Sequence, residues 1–71
     1  MSVWAKNAAA FMSLAITQRR LALKYRREAV NATSADDAKF CRAEAKRLWN
    51  EAREHVSHAR HHRELGAHHG A

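Results

Sequence analysis

Apolar residues along this chain recur with a period of seven. Alanine stands at 8, 15, 22 and 29 in the first half and at 38, 45, 52 and 59 in the second. Between these fall larger apolar residues: Trp4, Phe11 and Tyr25, then Cys41, Leu48, Trp49 and Val56. A period of seven is 3.5 residues per turn, which keeps one seam of a helix against a partner helix and implies a left-handed supercoil. Alanine at every seventh place lets two backbones approach closely, while the larger residues fill alternate layers. In the second half each of these alanines is followed by a base and preceded by an acid or a histidine, as Asp37-Ala38-Lys39, Glu44-Ala45-Lys46, Glu51-Ala52-Arg53 and His58-Ala59-Arg60.

The pattern is interrupted once, at Asn31-Ala32-Thr33-Ser34-Ala35-Asp36-Asp37. Short polar side chains compete for helical backbone bonds and favour turns and caps. Ser34 with Asp37, or Thr33 with Asp36, has the spacing of a capping box in its aspartate form, and both acids suit a helix N-terminus. This predicts an all-α antiparallel hairpin over residues 1–65, with helix 1 over about 2–30, a turn at 31–34 and helix 2 over about 35–64. Gly66 is the expected stop, and 66–71 the expected disordered tail.

Helix 1 is more apolar than a hairpin needs. One seam is Trp4, Ala8, Phe11, Ala15, Gln18, Ala22, Tyr25 and Ala29. A second, rotated by about 100°, is Ala5, Ala9, Met12, Ile16, Arg19, Leu23, Arg26 and Val30. Val3, Leu14 and Leu21 widen the first seam on its other side, and Phe40 of helix 2 has no partner within the hairpin. Burying Arg19 and Arg26 in a dimer core would cost several kcal/mol unless they were paired. Met12, Ile16, Arg19, Leu23 and Arg26 are therefore the predicted partner-binding set, because apolar anchors flanked by arginine have the composition of interface hot spots.

Length adds a constraint. Chains below about 70–80 residues rarely bury enough apolar surface without a staple or an oligomer. This one has 71 residues and a single cysteine, Cys41, which excludes an internal disulfide. A homodimer forming a four-helix bundle is the economical expectation. The lone thiol fits a reducing compartment. The longest uncharged N-terminal run, Asn7 to Gln18, is too short to span a bilayer and meets Arg19 and Arg20, so a soluble cytoplasmic protein without membrane association is expected.

A net charge of +6 and a pI near 10.5 make nucleic acid, an acidic protein or an anionic membrane surface natural partners. Lys39, Lys46, Arg53 and Arg60 form a ridge on helix 2 with Arg42 beside it, and Arg20, Lys24 and Arg27 add charge on helix 1. The ordinary counterpart of such a ridge is a solvated bundle face, and Glu44, Glu51 and Glu54 are expected to interrupt its field. RNA or DNA binding through Lys39, Arg42, Lys46, Arg53 and Arg60 is the alternative function.

His58 and His62, four apart, share a helix face with Glu54, His55 and His61 nearby. Near a helix end these ligands lack fixed positions, so exposed histidines and no metal or other cofactor are expected. Ser13, Ser34 and Ser57 have no triad context, Cys41 sits on the seam, and a thin hairpin offers no enclosed pocket, so an enzyme is not expected.

In plan, the helix-turn-helix with Ala8/Ala15/Ala22/Ala29 and Ala38/Ala45/Ala52/Ala59 is similar to the Rop family, whose paired hairpins form a four-helix bundle that binds paired RNA loops. The likeness covers the architecture and no residue motif. Size, basicity and the lack of an enzyme signature also resemble small phage-encoded host-takeover proteins, including helical dimeric anti-activators of bacterial transcription regulators such as quorum-sensing receptors. The second likeness implies a small homodimeric regulator or inhibitor that binds a protein, and the first implies a dimeric four-helix bundle.

Overall fold

The computed structural model describes residues 2–68, which form helices α1 (Val3–Asn31) and α2 (Ala35–His68) packed against each other. Ser2 begins α1: its backbone is extended and its hydroxyl accepts the Ala5 N–H at 3.1 Å. The chain leaves α1 at Ala32, also extended, whose N–H donates to the Ala29 carbonyl at 3.4 Å. Ser34 then caps α2 by accepting the Asp37 N–H at 3.1 Å, so of the two possible caps the Ser34/Asp37 pair is used. Asp36 and Asp37 lie in the first turn, where carboxylates oppose the positive end of the helix dipole. Replacing Ser34 by Ala should therefore cost about 1 kcal/mol in a thermal melt, whereas Thr33→Ala should be nearly silent.

The two helices run antiparallel, since the start of α1 lies beside the end of α2: the Trp4 and His62 rings are 5.6 Å apart. Midway, the Gln18 amide donates to the Glu51 carboxylate at 3.0 Å. The buried residues are Ala8, Ala15 and Ala22 of α1 and Ala45, Leu48, Ala52 and Ala59 of α2. Six of these seven are heptad alanines, so the backbones meet over methyl groups and the burial is thin. Each methyl-sized group contributes only about 0.8 kcal/mol, and among the described residues no large side chain is fully enclosed. Ala22, Ala45 and Leu48 form a contiguous core cluster with Tyr25 packed against it.

Three features differ from expectation. Helix α2 does not stop at Gly66 but runs through it to His68; residues 69–71 of the expected tail lie outside the described residues. The glycine serves packing, because a Cβ there would lie 3.2 Å from the Trp4 Cβ. Trp49, expected in the seam, is 38% exposed. His55 and His62, expected in solvent, are half-buried, while His58 and His61 are exposed. Phe11 explains the first of these placements: the His55, His58 and His62 rings gather around it at 5.8, 5.2 and 5.3 Å.

Candidate partner-binding face

Residues 12, 16, 19, 23 and 26 step by four and three along one side of α1, and 42, 46, 49 and 53 do the same along α2. The two rows face the same way. The Arg19 guanidinium lies 5.6 Å from the Trp49 ring centre, within cation–π range. Farther along, Arg26 of α1 lines an open groove of about 460 Å³ with Arg42, Lys46, Trp49 and Arg53 of α2, over buried Ala45. The protein-docking and nucleic-acid sets, read separately from the sequence, thus meet on one face of the hairpin. Lys39 and Arg60, one heptad beyond Lys46 and Arg53, extend the ridge at either end and are exposed.

Apolar groups are interleaved with this charge. Ile16 and Leu23 are 44% and 48% exposed, while Met12 is half-buried. A second shallow depression, lined by Arg20, Leu23, Arg26, Arg27 and Val30, continues the mixed surface around α1. Arg26 belongs to both.

The glutamates expected to interrupt the field are not in the groove. Arg47 pairs with Glu44 at 2.8 Å and with Glu51 at 2.7 Å, and Glu51 also accepts from Gln18. These pairs lie along the other side of the hairpin. The hydrogen bond from Arg47 holds the Glu44 carboxyl below the usual carboxylate range, and the two glutamates push the Arg47 guanidinium upward in turn. Such exposed pairs stabilise the fold little. Their effect is on the surface: no carboxylate lines either depression, so Arg26, Arg42, Lys46 and Arg53 share the groove with cations alone, and Arg19 lies beside it over Trp49.

The histidines form a different structure at the other end. Their rings pack on Phe11 and Trp4, and among the described residues no three or more His, Cys, Asp or Glu side chains are grouped to hold a metal ion. Cys41 is a free, half-buried thiol. No described helix is long and apolar enough to cross a membrane.

Trp49 is the residue of this face that the heptad reading misplaced. The seam of α2 steps through 41, 45, 48, 52, 55, 59, 62 and 66. Trp49 is one residue, or about 100°, past Leu48, which carries it onto the basic face. Comparison with protein families, curated proteins and solved structures gives no match to this chain.

Proposed function

We propose that the chain is a small protein-binding regulator, working as a pair of hairpins, that docks an acidic amphipathic helix of its target over Trp49. The observation that carries this reading is the mixture on one face: Ile16, Leu23 and Trp49 are exposed among five cations with no carboxylate in the groove. Nucleic acid would neutralise the cations but leave Ile16 and Leu23 in water. An amphipathic helix with acidic flanks answers both, its apolar stripe on the aliphatic residues and its carboxylates on the arginines. A groove between two helices also suits a third. The likeness to phage-encoded anti-activators suggests a host transcription regulator as the target class.

RNA or DNA binding is the second reading, supported by the carboxylate-free groove and by Trp49 as a surface for base stacking. Two fluorescent probes separate the readings: a helical peptide of leucine and glutamate heptads, and an RNA hairpin. The peptide should bind more tightly, and Ile16→Gln with Leu23→Gln, which removes apolar surface without changing charge, should weaken it at least about tenfold. Tighter RNA binding that falls steeply with salt and ignores both substitutions would sink the protein-docking reading, since phosphate contacts release counterions.

A further inference from the structure

The side of the hairpin opposite the basic groove carries its own unpartnered apolar surface. Val3, Leu14 and Leu21 of α1 and Phe40 of α2 are 61%, 49%, 39% and 59% exposed. Leu14 and Leu21 lie four before and three after Gln18, and Phe40 lies four before Glu44. Each is therefore on the side of the Gln18–Glu51 bond and the Arg47 pairs. We infer that a second copy of this chain packs on this side, face to face, leaving the basic groove of each hairpin outward. This rests on the proposal that hairpins pair, and not on what the groove binds.

Charge selects the side. A symmetric dimer brings the same patch of both copies together. Joining the basic faces would set Arg19, Arg26, Arg42, Lys46 and Arg53 against their own copies, where like charges in a shrinking dielectric repel strongly. On the opposite side the charge is mixed: Arg47 is held by Glu44 and Glu51, Glu28 and Glu54 lie one heptad past Leu21 and Arg47, and Val3, Leu14, Leu21 and Phe40 carry no charge.

Size agrees. The hairpin measures 54 Å by 15 Å across its broader face, an outline of roughly 800 Å², similar in size to the patch each partner contributes to a standard stable interface. Thin internal burial supplies the need: six alanines and one leucine make the existing core, and Leu14, Leu21 and Phe40 are larger than any of those alanines. Covering them would add apolar burial to that of the seam. The result is a bundle with two outward grooves on opposite sides, able to engage two target helices at once.

The full chain at about 10 µM should sediment at twice its mass, and Leu14→Glu with Leu21→Glu should weaken pairing at least about a hundredfold. Should that variant unfold, the face is read instead in an otherwise intact chain carrying Cys41→Ala and one nitroxide. The label at Thr17→Cys, on the Leu14/Leu21 side, should be immobilised by assembly, and at Asn50→Cys, in the basic groove, it should stay mobile. A dimer with the opposite labelling pattern overturns this face while leaving pairing intact. A monomeric wild-type chain overturns both, and peptide binding to that monomer would leave the groove reading standing.

Discussion

Ala52→Leu should destabilise the hairpin by about 1–3 kcal/mol, the usual cost of forcing extra methylenes into a close-packed contact. Ala52 is completely buried, midway along the seam and one residue from Glu51, which bonds across to Gln18 of α1. Its methyl group sets the distance between the backbones there. A leucine must push the helices apart or leave its preferred rotamer, and separation would also stretch the Gln18–Glu51 hydrogen bond. In a domain this small each kcal/mol moves the melting midpoint by about 4–8 °C, so the variant should melt well below the wild type. Ala43→Leu is the control, because Ala43 is exposed and leucine is nearly as good a helix former as alanine. Equal losses at both positions would mean that the seam is not held by close contact.

The seam was legible because alanine carries two messages at once, high helix propensity and small size, and a strict seven-residue recurrence fixes which side of the helix must use the second. The turn was equally legible, down to Ser34 as one of two possible caps. The end of α2 was not. Gly66 looks like a stop when judged locally, yet it is also the next seam position after His62 and meets Trp4, a contact that only the folded hairpin supplies. The same seam count would have placed His55 and His62 against α1 and taken Trp49 out of it. Residue type misled where position did not: histidine suggested solvent and tryptophan suggested core. The grouping of Arg19 and Arg26 with Arg42, Lys46 and Arg53 could not be read at all, because it depends on how two helices with separate charge patterns are rotated about their common seam.

That grouping changes what a charge reversal should do. Read from the sequence, Lys46 and Arg53 belong to the nucleic-acid ridge and not to the protein-docking set. Both now line the groove beside Trp49 and opposite Arg26, where acidic flanks of a docked helix would lie. Lys46→Glu with Arg53→Glu turns two cations into two anions and lowers the net charge from +6 to +2. At low salt it should weaken the leucine–glutamate peptide at least about a hundredfold, and the deficit should shrink as salt shortens the Debye length from about 10 Å at 0.1 M to 3 Å at 1 M. Lys6→Glu with Lys24→Glu makes the same change in net charge at exposed positions outside the groove and should do far less. Similar losses for the two double variants would show that attraction is a property of the whole molecule and would remove the groove as a site. A selective loss locates binding there. The neutral Ile16→Gln and Leu23→Gln changes then decide the partner, since a helix should lose affinity with its apolar anchors and a phosphate backbone should not.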